Sequence, residues 1–289
     1  MSYLLVTPVK NEISNLEKLF SSILEQTIKP ILWLILDDGS SDGSTEVILK
    51  MAKEHSFISY IILPPKNKRD LFWRYHKIMK FGFEKIVEIA KDKNLNWDYI
   101  GVLDGDISLE KSYFHTLLCK MDKDANLGVV SGEVKSLIND VYIIEERQMD
   151  RPCGAARLIK KEIYDKIGYP EEPGADGVIS QKARELGFKT IVIKNIFLYQ
   201  SRGTNSVASP KNNAIYQAEM KYYLGYSIWY AILKFFIMFF KKPHYPSFIF
   251  IYRFTYNKVI KKERTKDLQI LNNRSNIIIN RISNYFNKK

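Results

Sequence analysis

Apolar residues in this chain fall into short unbroken runs, separated by segments whose apolar positions recur at helical spacing. The run YLLVT (Tyr3–Thr7) is closed by Pro8 and reads as a buried strand. NEISNLEKLFSSILEQT follows, with Ile13, Leu16, Leu19, Phe20, Ile23 and Leu24 on one helical stripe. ILWLIL predicts a second buried strand, ended by the turn-forming DDGSSDGS. A helix over Thr45–His55, a strand over Phe57–Leu63, the basic loop PPKNKRD, a long helix over Leu71–Lys91 and a strand in WDYIGVLDGD complete the front of the chain. This alternation predicts an α/β fold with a mostly parallel sheet covered on both faces. Ligands of such sheets bind at the carboxyl ends of the strands. Pro8–Glu12, Asp37–Ser44 and Asp104–Asp106 all fall at such ends, so three separate segments converge on one expected site.

After Glu110 the alternation loosens. Leu127–Val134 reads as a strand, and GAARLIKKEIYDKIG runs from small residues into a short helix. ADGVISQKARELG predicts a helix capped by Gly187, and FKTIVIKN a further strand. Near Tyr222 the pattern changes again, to the strongly apolar YYLGYSIWYAILKFFIMFF.

Charge sharpens this division. The 289 residues carry a formal +12, but twelve Lys/Arg against Glu263 and Asp267 put +10 of it beyond Phe240. The front is a nearly balanced globular protein and the back a basic appendage. Cys119 and Cys153 make neither a disulfide framework nor a paired-cysteine metal motif. His55, His76, His115 and His244 show no ligand spacing. The start MSYLLVTPVKNE lacks a basic segment leading into a long apolar core, so it does not read as a secretory leader, and a reducing, cytoplasmic setting is expected.

Two carboxylates separated by one glycine, in VLDGDIS, repel unless something positive lies between them. A divalent cation, a basic side chain or solvent at a turn would each serve. A hard cation such as Mn²⁺ or Mg²⁺ takes a few carboxylate oxygens and completes its shell with substrate phosphate. Asp104 and Asp106 could supply that protein share, with Gly105 allowing close approach. In LDDGSSDGS, Asp37 and Asp38 follow a buried strand, where acidic side chains can accept from a ribose hydroxyl or a base N–H. Asp42 or Ser44 reads as the cap of the next helix.

TPVKNE, SSILEQT, LILDDGSSDGS and VLDGDIS stand in the order and spacing of the inverting glycosyltransferase family 2, and within its first 110 residues the chain resembles that family closely. The resemblance implies the Rossmann-like GT-A fold, a nucleotide-diphosphate sugar donor and a divalent metal. It places Thr7, Pro8 and Glu12 along the nucleotide pocket, Asp38 at the base with Asp37 beside it, and Asp104 and Asp106 as the metal-binding D-x-D, Asp104 also contacting the donor. GADGVISQKARELGFKTI is similar to the family's E-D-x-x-L segment, which puts Asp176 at the catalytic base and leaves Ala175 where the family has Glu. Arg202, in YQSRGTNS, takes the place of a loop cation that grips the diphosphate, and Arg74 adds charge nearby. A base fits the chemistry, because an inverting transfer removes the acceptor hydroxyl proton as that oxygen attacks the anomeric carbon. A nucleotidyltransferase or a non-catalytic nucleotide-sugar-binding homologue are the rival readings. The first would want a Gly-rich basic loop after the first strand, which TPVKNE is not.

Residues 1–210 are thus expected to be the catalytic domain and 211–289 a helical extension. Within the extension, 222–240 is just long enough to span a bilayer, although Lys234 interrupts it. Lys241, Lys242 and the aromatic YPSFIFIYRF follow, and aromatics interleaved with cations suit a segment lying in anionic headgroups. The expectation is peripheral attachment to the cytoplasmic membrane face, with a spanning or re-entrant segment as the alternative. The acceptor would then be lipid-linked or another membrane-held glycan. No nucleic-acid partner is expected, since the site itself is acidic.

Overall fold

The first two apolar runs become adjacent parallel strands, β1 (Tyr3–Val9) and β2 (Leu32–Asp37), joined through helix α1 (Ile13–Leu24). Both strands are covered on both faces, and successive residues alternate between two cores. Tyr3, Leu5, Trp33 and Ile35 face one cluster with Leu16, Leu19 and Phe20 of α1. Leu4, Val6, Leu34 and Leu36 face the other, with Met79, Phe83 and Ile86. The structure is a computed structural model and describes residues 1–65, 73–138, 140–146, 148–201 and 209–267.

The chain continues through α2 (Ser44–Glu54), β3 (Ile58–Ile62), α3 (Arg74–Asp92), β4 (Tyr99–Leu103), β5 (Ile107–Leu109) and α4 (Tyr113–Lys123). Then come β6 (Leu127–Ile138), β7 (Val141–Ile144), β8 (Ala156–Lys160), α5 (Lys161–Ile167), α6 (Ala175–Glu185) and β9 (Lys189–Gln200). The strands form one sheet in the order β3-β2-β1-β4-β8-β6-β9-β5, with β7 paired to β6. The expected α/β architecture is observed, and the quartet β3-β2-β1-β4 is parallel throughout. Beyond β4 the sheet is mixed, because β8 enters antiparallel to both β4 and β6. The sequence reading gave the ARLIK of β8 to a small-residue segment before a helix, a five-residue strand being too short to show a period.

The chain divides into two compact units, one of 1–171 with 175–204 and the other of 172–174 with 205–289. The second contains α7 (Pro210–Tyr223), α8 (Ile228–Phe239) and α9 (Tyr245–Val259). α7 and α9 are tied by the Arg253–Glu219 ion pair and by the Tyr222 ring against Phe254. Residues 222–240 break after α7 at Leu224–Ser227, and the 12 residues of α8 reach about 18 Å against a hydrocarbon core of about 30 Å. Among the described residues no helix is long and apolar enough to cross a membrane.

Candidate active site

The site is assembled by two loops that cap each other's helices. Asp42 accepts from the Ser44 amide, at the start of α2, and from the Ile13 amide, at the start of α1, both at 3.0 Å. The Glu12 amide donates to Ser44 Oγ at 3.0 Å, and the Ser41 amide to Asn11 Oδ1 at 2.8 Å. The DDGSSDGS turn and the PVKNE turn are thereby locked side by side, with donors of both helices satisfied by side chains. The N-cap position of α2 is Gly43 rather than the expected Asp42 or Ser44, and Asp42 instead bonds the first amides of two helices.

Asp37 and Asp38 have opposite fates. Asp37 is fully buried and holds the turn, accepting from the Ser40 amide at 2.9 Å and from the Thr45 hydroxyl. Its carboxylate is committed to the fold. Thr7 is likewise turned into the core, where its hydroxyl accepts from Trp33 Nε1 at 2.8 Å. What these two leave for a ligand is main chain. Pro8, the next residue of β1, is the one partly open to solvent. The Asp38 side chain lies at the strand end and is gripped by Arg74, through Nε at 3.0 Å and through Nη2, and by Lys10 Nζ at 3.3 Å. Lys10 belongs to the first loop and was not singled out in the sequence. Arg74 is the first residue of α3.

Gly105 joins this cluster to the acidic pair. A Cβ there would meet the Pro8 carbonyl oxygen at 3.2 Å and Glu12 Cγ at 3.3 Å, so the DGD turn packs tightly on the end of β1. Asp104 is half-buried and accepts from the Tyr75 hydroxyl at 3.1 Å. Burial, and next the charge of Asp106, push its carboxyl up to about 8. The Tyr75 phenol is raised in turn, by burial and then by Asp104.

The second half of the chain reaches the same place through Gly154–Ala155–Ala156. The Asp104 amide donates to the Ala155 carbonyl at 2.8 Å. Gly154 abuts the Asp176 side chain, since a Cβ on it would lie 3.2 Å from Asp176 Oδ2. Asp176 is exposed in the first turn of α6, and its charge acts on Asp104. Its neighbour Ala175 is buried among Ile159, Ile163 and Ile179, where a glutamate would be stranded without solvent. The Ala155–Ala156 segment is anchored from beneath, the Tyr113 hydroxyl donating to the Ala156 carbonyl at 2.8 Å and accepting from the Gly132 amide at 2.8 Å. Arg202 lies outside the described residues. The last described residue before it, Ser201, donates its amide to the Asp106 carbonyl at 3.2 Å.

The structure therefore brings Pro8, Glu12, Asp38, Asp104, Asp106 and Asp176 to one end of the sheet. Tyr75, Gly154 and Arg157 at this site were not legible as functional from spacing. An arginine inside the apolar run AARLI was the available signal for the last of them. Among the described residues no group of three or more His, Cys, Asp or Glu forms a metal cage. Two carboxylates one residue apart, hard oxygen donors both, fit a divalent cation that completes its shell from a bound phosphate rather than from protein.

Known folds resemble this one. The mannosyltransferase PcManGT of Pyrobaculum calidifontis, in complex with GDP-Man and Mn²⁺, superimposes with a TM-score of 0.54 at 14% identity, over 75% of this chain and 61% of its own. Residues 1–349 of S. aureus TarS with UDP-GlcNAc give 0.52 at 12% identity, over 92% and 74% of the two chains. GalNAc-T7 with UDP, GalNAc and Mn²⁺ gives 0.54 at 13%, over 75% and 47%. The chain thus spans less than two thirds of the length of the first and third of these. Curated protein sequences give no significant match. The model of the glycosyl transferase family 2 matches residues 4–171, more than half of the chain and all of the strand ends that build the site, and the chain belongs to that family.

Proposed function

We propose that the chain is an inverting glycosyltransferase, moving a sugar from a nucleotide-diphosphate sugar to a membrane-held acceptor. The observation that carries this reading is the meeting of Asp104 and Asp176 across Ala155 and Gly154, which sets a solvent-facing carboxylate beside the acidic pair. Asp176 takes the proton of the acceptor hydroxyl as that oxygen forms its bond to the anomeric carbon and the bond to the diphosphate breaks on the opposite side. Asp104 and Asp106 would hold Mn²⁺ or Mg²⁺, which when bound neutralises charge on the departing diphosphate. The Mn²⁺ in the complexes of PcManGT and GalNAc-T7 supports such a metal. GDP-Man and UDP-GlcNAc in those of PcManGT and TarS support a nucleotide-sugar donor. Pro8, Glu12 and Asp38 line the nucleotide side, Arg74 and Lys10 hold Asp38 in place, and Arg202 serves as a phosphate ligand.

Residues 1–210 carry this chemistry and 211–289 attach the enzyme to anionic lipid. Supporting the second role, α8 leaves Trp229, Leu233, Phe236, Ile237 and Phe240 exposed along one face, and α9 leaves Tyr245, Phe248, Tyr252, Tyr256 and Val259. From Leu224 through Lys262 the sequence holds seven Lys/Arg and no acidic residue. Apolar faces in a stretch whose charged residues are all cations match the interface of an anionic membrane.

The test is incubation with UDP-, GDP- and TDP-sugars and Mn²⁺ or Mg²⁺, scored for released nucleoside diphosphate. Release that Asp176→Asn abolishes, with donor binding kept, supports the assignment. Pyrophosphate release would point to nucleotidyl transfer, and binding without turnover to a non-catalytic protein.

A further inference from the structure

Arg157 is one of the largest fully buried side chains, at 1% exposure, and is the second residue of β8. It sits opposite Val102, so the carbonyl that receives the Asp104 amide lies only two residues before it. Its Nη1 donates to the main-chain carbonyl of Asp176 at 3.0 Å, the same oxygen that accepts from Ser180 Oγ at 2.9 Å. The guanidinium also faces Tyr169. Among the described residues its Nε has no partner, and no carboxylate stands within ion-pair distance of it.

A guanidinium so placed is costly, because burial removes its hydration and one carbonyl with the Tyr169 hydroxyl replaces only part of it. An apolar residue of similar length would fill the strand position at lower cost. The fold carries that cost directly beneath the place where the carboxylates converge. We propose that Arg157 is the positioning residue of the site: it fixes the first turn of α6, and with it Asp176, while its charge offsets the acidic cluster from below. Without it, Asp176 and Asp104 would repel with nothing positive behind them, and α6 would lose the bond that sets its first turn. Nothing here requires Arg157 to touch substrate.

The inference rests on Asp176 being the base, and the experiment separates the two claims. Four variants of the full chain, Asp176→Asn, Arg157→Met, Arg157→Gln and Arg157→Lys, are assayed on the UDP-, GDP- or TDP-sugar from which the wild type releases most nucleoside diphosphate. Donor dissociation constants and melting temperatures are measured alongside. The expected result for Arg157→Met is a fall in kcat of about 10–100-fold, the range typical of residues that orient a reacting group, with donor KM within about threefold. Arg157→Lys, which restores the charge, recovers most of the loss. Arg157→Gln keeps a donor for the Asp176 carbonyl without the charge, and should fall with Met. If Met fails to fold, Gln against Lys carries the same test. Wild-type kcat in Met, or equal losses in Gln and Lys that track melting temperature, would overturn the positioning role, and wild-type kcat in Gln would remove the part assigned to the charge. Undiminished turnover by Asp176→Asn would instead remove the base itself.

Discussion

The carboxylate of Asp176 rests against the α-carbon of Gly154, so close that a methyl group there would stand 3.2 Å from Oδ2 and 3.3 Å from Cβ. Gly154→Ala therefore displaces Asp176 by a few tenths of an ångström while leaving its chemistry intact. Misplacement of a reacting group by about 1 Å costs about 100-fold, so a loss of roughly tenfold in kcat is expected, with donor KM and melting temperature nearly unchanged. Steady-state kinetics beside a thermal melt checks this. A wild-type kcat would mean that the position of Asp176 does not limit turnover.

Asp38 and Arg74 give a second prediction. The pair is mostly shielded, with 12% and 15% of the two side chains exposed, and removing one partner leaves the other short of its bonds. Arg74→Ala should cost about 2 kcal/mol, the scale of a hydrogen bond to a charged group, because Lys10 remains to hold Asp38. It should also weaken donor binding by letting the carboxylate move. Asp38→Ala and the double variant complete a cycle. Additive losses in urea titrations would show that the two do not couple.

The strand ends could be located from sequence because buried parallel strands are unbroken apolar runs and their ends are marked by Pro8, Asp37 and Asp104. The division of labour between Asp37 and Asp38 could not. Adjacent residues on a strand point to opposite faces, and which aspartate faces the turn depends on Ser40 and Thr45 reaching back to it. The inward turn of Thr7 was hidden likewise, its hydroxyl being claimed by Trp33 from the neighbouring strand. The path from Asp104 to Asp176 runs through β8, a strand only five residues long whose pairing is set by neighbours far away in sequence.

Metal dependence has a direct check. Asp106→Asn removes one hard, charged donor while keeping shape, so turnover should fall by at least about 100-fold with the melting temperature held. EDTA should silence the parent chain, and excess Mn²⁺ should restore the parent but not the variant. Binding of Mn²⁺ by the donor-loaded protein, followed by electron paramagnetic resonance, should weaken in the variant as well. Activity of the parent in EDTA would remove the metal from the reaction.

The exposed faces of α8 and α9 lead to the last prediction. Trp229 is 70% exposed and Phe240 80%, side chains that would each gain about 1.5–3 kcal/mol if fully buried. An isolated apolar residue on a surface is ordinary, but ten of them along α8, its C-cap and α9, in a stretch of sequence without an acid, are not. Burial among headgroups also suits Lys234, whose pKa is lowered by desolvation and then by Lys221 and Lys241. The full chain should float with phosphatidylglycerol-containing vesicles and much less with phosphatidylcholine alone. Trp229→Ser with Phe240→Ser should cut partitioning by at least about tenfold at any salt, since the lost term is apolar. Lys241→Gln with Lys242→Gln should cut it only at low ionic strength, each cation contributing about 1 kcal/mol near an anionic surface. If the full chain stays at the bottom of the gradient at low salt, these faces do not bind lipid.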